Sequence, residues 1–121
     1  DYLQIQCGID IIEVQRIKNA IIELKDKFLN RVYTEKEIEY CEKKGINKYE
    51  HYAVRFAAKE AIYKAISNKI KKTAEWRQIE ILNDENGRPK AILKMDLDCF
   101  IDVSLSHVKD NAIATCIVYF M

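Results

Sequence analysis

Between about residues 50 and 68 the chain repeats small and branched apolar residues at helical spacing. Val54, Ala57, Ala58, Ala61, Ile62 and Ala65 fall on one stripe at about 100° per residue. Four of these six are alanines, so whatever covers the stripe can approach the helix backbone closely. This segment is therefore expected to be the central helix, with other elements built against it. From Trp76 the period changes to two: Ile79 and Ile81 alternate with Gln78 and Glu80, Asn83 to Gly87 is turn chemistry, and Ala91 to Lys94 returns as the second arm of a hairpin. Ile101, Val103 and Leu105 alternate with Asp102, Ser104 and Ser106; Lys109-Asp110-Asn111 then turns into the nearly continuous apolar run from Ala112 to Phe120, a second hairpin.

The first half reads differently. Tyr2 to Cys7 alternates, with Leu3, Ile5 and Cys7 on one face, as a first strand that Gly8 lets exit tightly. Val14, Ile17, Ile21 and Leu24 predict one or two helical segments over roughly residues 13 to 30. Thr34-Glu35-Lys36-Glu37 is a capping-box pattern opening a helix from about 35 to 44, with Gly45 as its stop. Helices gathered in the first half and strands in the second predict an α+β fold, a mainly antiparallel sheet with helices packed on it. At 121 residues, with one proline and three glycines, a single domain over residues 1–121 is expected, too small for a large cleft within one copy.

Twenty Lys and Arg balance 19 Asp and Glu for a net charge of +1, so the overall field recruits neither nucleic acid nor membrane. Absence of recognition motifs and of a glycine-rich phosphate loop argues against nucleic acid as a partner, and the longest apolar run is about half the roughly 20 residues a membrane helix needs. Cys7, Cys41, Cys99 and Cys116 form no Cys-x-x-Cys pair, which argues against zinc. No secretory segment is visible, so reduced thiols and a cytoplasmic location are expected. Charge is concentrated locally instead. Arg55, Lys59, Lys64, Lys69, Lys71 and Lys72 against Glu60 give a stretch of six positive charges and one negative, suited to polyphosphate or an acidic partner.

Three stretches can carry chemistry. Asp10 follows the first strand and Gly8, where it projects at a sheet edge or caps the first helix. Glu60 and Lys64 flank the central helix as an i,i+4 pair, worth about 0.3 kcal/mol if purely structural. His107 ends a strand on its apolar side, either satisfied by a backbone carbonyl or joining Ser104, Ser106 and Lys109 in a cluster of donors. Ser106 and His107 are no nucleophilic pair, because adjacent strand residues point to opposite faces.

Gly8-Ile9-Asp10 with Arg16-Ile17, Phe28 with Arg31, Thr34 to Glu37, Arg55 to Ala61 with Lys64-Ala65, Asn86 to Pro89, and Ser104 to His107 occur in an ordered set. That set resembles, over nearly the whole length, the holo-[acyl-carrier-protein] synthases, the small 4′-phosphopantetheinyl transferases of fatty-acid biosynthesis. The resemblance implies transfer of the phosphopantetheine arm of coenzyme A to a serine of apo acyl carrier protein, with adenosine 3′,5′-bisphosphate released. It also implies Mg²⁺ and a homotrimer with active sites between subunits. Asp10 and Glu60 would hold the metal, Lys64 would stabilise the leaving phosphate, and Lys59 would assist from the next face. His107 and Ser106 would contact the coenzyme, and Gly87, Arg88 and Pro89 would line its nucleotide pocket. Arg16 matches the docking surface for the acidic carrier protein, with Lys25, Lys27 and Arg31 beside it. The base for the serine hydroxyl is a metal-bound water, Asp10 or Glu60. Two departures stand out: Ile66 to Lys72 lacks the glycine common in that loop, and Cys7 replaces a small residue. A non-catalytic module binding coenzyme A or carrier protein is the alternative reading.

Overall fold

The computed structural model describes residues 4–121; Tyr2 and Leu3, read as the start of the first strand, lie outside the described residues. The order of elements is β1 (Gln4–Glu13), α1 (Val14–Leu24), α2 (Asp26–Val32), α3 (Glu35–Glu42), α4 (Lys48–Ile66), β2 (Ile79–Asn83), β3 (Pro89–Leu93), β4 (Cys99–His107) and β5 (Asn111–Phe120). The strands form two antiparallel sheets among the described residues, one ordered β1-β5-β4 and one pairing β2 with β3. This is the α+β architecture that the sequence predicts.

α4 is the axis of the molecule. The alanine stripe is buried throughout, and Tyr52, Ala53, Arg55, Lys59 and Ile66 are buried as well, so the helix is enclosed on more than its apolar face. It packs on the inner face of the larger sheet, formed by Gly8 and Ile12 of β1, Val103 of β4, and Ala112, Ala114, Cys116 and Val118 of β5. The alanines allow this close seating. So does Gly8: a Cβ there would stand 1.9 Å from the carbonyl oxygen of Ala61, a distance at which one element must move.

β1 corrects one expectation. The strand does not exit at Gly8; it continues to Glu13, paired residue for residue with β5. Gly8 serves close packing rather than a turn. Even-numbered residues face the core, while Ile5, Cys7, Ile9 and Ile11 face outward on a side that no described element covers. Ile117 and Tyr119 of β5 and Phe100 of β4 share that exposed face. In a strand buried on one side, alternation alone does not say which side is covered.

The remaining elements follow their local signals. α3 begins with the predicted capping box, Glu37 N–H donating to Thr34 Oγ1 and Thr34 N–H to Glu37 Oε1. The β2–β3 turn places Gly87 at φ +82°, the left-handed region that glycine enters freely, while Asp84 Oδ1 accepts from the N–H groups of Asn86 and Arg88. Pro89 opens β3, where no ladder donor is needed from it. After α4 the chain makes one 3₁₀ turn, Ser67–Lys69, and then runs irregularly to Glu75. All four cysteines are free thiols. Burial pushes Cys41 up to about 12 and Cys116 up to about 11, which keeps both protonated and unreactive.

Candidate active site

Asp10 is a mid-strand residue, not the cap of α1; Glu13 occupies that cap position. Its even parity turns the side chain toward α4, where the Nζ of Lys64 donates to Asp10 Oδ1 at 3.1 Å and to the carbonyl oxygen of Ile9 at 3.0 Å. The i,i+4 partnership of Lys64 with Glu60 is thus replaced by a bridge between helix and sheet. Asp10 is 18% exposed and Lys64 53%, so the pair is accessible from solvent. Glu60 lies close enough to Asp10 to feel its charge. Partial burial first, and then Asp10, hold the Glu60 carboxyl above its ordinary value, with Lys64 opposing.

Two carboxylates that repel one another beside a single ammonium make a site short of positive charge. Such a donor set fits Mg²⁺, a hard cation that takes one or two protein carboxylates and completes its shell with water and phosphate oxygens. No cluster of three or more candidate metal-ligating side chains occurs among the described residues.

Lys59 is not part of this cluster. Its side chain is 0% exposed, and its three ammonium donors reach the carbonyl oxygens of Val32 at 2.6 Å and Trp76 at 3.1 Å and Glu37 Oε1 at 2.7 Å. Glu37 Oε2 in turn accepts from Ile81 N–H at 2.7 Å. The pair ties α4 to the end of α2, to the cap of α3 and to β2, and burial pulls the Lys59 pKa down. Arg55 is likewise buried. Its guanidinium stacks on Tyr40, 4.0 Å from the ring centre, and bonds Asn83, while its Nε has no partner. Two of the six positive charges on this stretch are therefore internal, and the basic surface is smaller than the sequence suggests.

A separate cleft of about 370 Å³ lies by the first turns of α4. Arg55, Asn83, Gly87, Arg88, Pro89, Ser104 and His107 are among its lining residues, so the β2–β3 turn and the end of β4 do converge. Arg88 reaches Asp102 at 3.1 Å across the cleft mouth. Ser106 is absent from the lining; it faces outward opposite Ile113, on the other side of β4 from His107. His107 is satisfied not by a backbone carbonyl but by Glu50, whose Oε1 lies 2.8 Å from its Nδ1. Sequence reasoning missed Arg55 and Asn83 as members of this cleft and Glu50 as the partner of His107; the only prior signal was their position on the central helix and beside a turn. On α4 the cleft is lined by His51, Val54 and Arg55, which precede Glu60 and Lys64 along the helix.

Residues 6–116 match the sequence pattern of the 4′-phosphopantetheinyl transferase superfamily. The holo-[acyl-carrier-protein] synthase of Clostridium tetani is 47% identical over 119 residues, covering 92% of each chain. That of Ruminiclostridium cellulolyticum is 44% identical over 124 residues, covering 96% of this chain and 92% of the relative. Among solved structures, the holo-(acyl-carrier-protein) synthase of Bacillus anthracis in complex with CoA (3′,5′-ADP) superposes with a TM-score of 0.81 at 37% identity over 96% of both chains. The Helicobacter pylori synthase in complex with coenzyme A gives 0.80 at 33% identity, covering 93% of this chain and 98% of that one.

Proposed function

The chain belongs to the 4′-phosphopantetheinyl transferase superfamily, and on that premise we propose that it transfers the 4′-phosphopantetheine arm of coenzyme A to a serine of apo acyl carrier protein. The serine oxygen bonds to the phosphorus that carries the pantetheine, the bond from that phosphorus to the bridging oxygen breaks, and adenosine 3′,5′-bisphosphate leaves with that oxygen. The observation that carries the reading is the Asp10–Lys64 bridge with Glu60 beside it. A non-catalytic binding module is not favoured, because the similar proteins are synthases by name and span nearly the whole chain.

The roles follow from charge. Lys64 neutralises the leaving phosphate as negative charge grows on it, since phosphoryl transfer depends chiefly on positioning and electrostatics. The base for the serine hydroxyl would be Asp10, Glu60 or a water on the metal. Asp10 and Glu60 would hold Mg²⁺, which would supply positive charge against the pyrophosphate. Gly87, Arg88, Pro89 and His107 would bind the nucleotide half of the coenzyme in the cleft. Lys59 serves by fastening α4 rather than by touching the coenzyme, and Ser106 would contact ligand only from the outer sheet face.

An active site completed by a second copy belongs to this proposal, since a chain of 121 residues has little room for a large cleft within one copy. The uncovered apolar sheet face, with Ile9 58%, Ile11 64%, Phe100 67% and Ile117 54% exposed, supports assembly into a homotrimer. A single transferase domain over residues 1–121, a place in fatty-acid biosynthesis and a cytoplasmic location belong to the same proposal. No described helix is long and apolar enough to cross a membrane. Arg16, exposed on α1, is offered as a docking contact for acidic carrier protein: Arg16→Glu should raise KM for that substrate several-fold, and an unchanged KM removes it from the surface.

The deciding experiment is intact-mass analysis of apo acyl carrier protein incubated with this protein, coenzyme A and Mg²⁺. A gain of one phosphopantetheine, lost with EDTA and in Glu60→Gln, is the expected result. No gain on a verified apo carrier would overturn the transferase reading.

A further inference from the structure

Glu50 is a carboxylate that the transfer chemistry does not use. It stands in the first turn of α4, where the free backbone amides and the helix dipole favour negative charge. Its contact with His107, which lines the cleft, joins residues 57 apart in sequence, and the side chains are 22% and 28% exposed. The two nitrogens of an imidazole have separate tasks, and a partner on one decides which remains for a ligand. With Nδ1–H donating to Glu50, Nε2 is the nitrogen left. Arg55 and Arg88 share the cleft lining with His107; Arg88 is bridged to Asp102, whereas Arg55 keeps an unpartnered Nε, so the lining offers a cationic donor to an anion.

His51 adds a second constraint. Its ring meets His107 edge-on at 4.9 Å between centroids. Burial first, then the charges of His107, Arg55 and Lys44, push His51 down to about 4, against the opposing pull of Glu50. A neutral His51 leaves Glu50 free to act on His107 alone. For His107 to donate from Nε2 to a phosphate oxygen while Nδ1 donates to Glu50, the ring must carry both protons, and the carboxylate and the phosphate then flank it as paired anions.

We infer that Glu50 is a positioning residue for coenzyme A, holding the imidazole of His107 so that Nε2–H meets a phosphate oxygen of the nucleotide half. The inference rests on reading the cleft as the nucleotide site. Glu50 acts through His107 and touches no reacting atom.

Steady-state kinetics on Glu50→Gln, Glu50→Ala, His107→Ala and the Glu50→Ala/His107→Ala double variant, with urea midpoints to verify folding, test it. Glu50→Ala should raise KM for coenzyme A about fivefold, the scale of one charge-assisted hydrogen bond. Glu50→Gln, which keeps an acceptor without the charge, should raise it less. In both, kcat and KM for carrier protein should stay within about a factor of two, the scatter usual for a substitution outside the reacting centre. Inhibition by adenosine 3′,5′-bisphosphate should weaken in parallel. In the His107→Ala background the Glu50 change should add nothing. If His107→Ala raises KM for coenzyme A but neither Glu50 variant does, or if the two effects simply add, the positioning role is overturned. If His107→Ala leaves KM unchanged, the nucleotide reading of the cleft falls, and the inference with it.

Discussion

Lys59 and Lys64 lie on one helix, five residues apart, yet their surroundings assign them opposite work. Lys59 is 0% exposed and places every donor of its ammonium on a fixed acceptor, so its charge is committed to holding α2, α3 and β2 against α4. Lys64 is 53% exposed and crosses to Asp10 at the surface, where Glu60 adds a second carboxylate. One cluster is closed and neutral; the other is open and unbalanced. Burial with complete hydrogen bonding makes a charge structural, whereas partial exposure with an incomplete partner set leaves it able to act on a ligand.

The comparison is most severely tested by Lys59→Met. It strands the Glu37 carboxylate in the core and should cost about 3–5 kcal/mol, read from urea unfolding. A loss below about 1 kcal/mol would mean that the inner pair does not fasten the helix. Lys64→Met is the counterpart: kcat should fall about a hundredfold through lost stabilisation of the leaving phosphate, while stability moves by no more than about 0.5 kcal/mol. Equal destabilisation by the two changes would erase the distinction.

Gly8→Ala probes the seam between the regions, because the added methyl meets the Ala61 carbonyl two residues from Asp10. A loss of about 2 kcal/mol is expected from the forced separation of β1 and α4, and kcat should drop with it as Asp10 moves from Glu60. Wild-type kcat in a folded Gly8→Ala protein would show that the outer cluster tolerates such a shift.

The smallest effect concerns Glu60. Folding raises its carboxyl above the ordinary value of 4.5, so its contribution to stability is fully present below that value and is lost as pH rises through the raised one. Glu60→Gln should therefore be inactive yet more stable than wild type at pH 7, by at most about 0.5 kcal/mol after solvent screening, with the difference vanishing near pH 4. Thermal melts at both values measure it. A variant less stable than wild type at pH 7 would place Glu60 among the structural charges.

Local chemistry was easy to read. The Thr34–Glu37 capping box, the turn at Gly87, both hairpins and the alanine stripe involve residues close in sequence, whose spacing alone sets the geometry. Strand parity in β1 was not legible, because Ile5, Cys7 and Ile9 are apolar on the side that α4 leaves open. The double duty of Glu37 was equally hidden: its spacing from Thr34 shows a cap, and nothing nearby shows Lys59, 22 residues on. Glu50 and His107 are 57 residues apart and share no motif.

By itself the sequence determined the element types, the α+β class and the set of residues able to carry chemistry, since periodicity, capping and residue type are properties of short segments. Only the tertiary structure decided which charges work. Asp10 gained Lys64, Lys59 was withdrawn into the core, and His107 gained Glu50, because each outcome depends on which element covers which face. That choice is made by long-range packing around α4, where burial sets the cost of a charge and distance sets its partner.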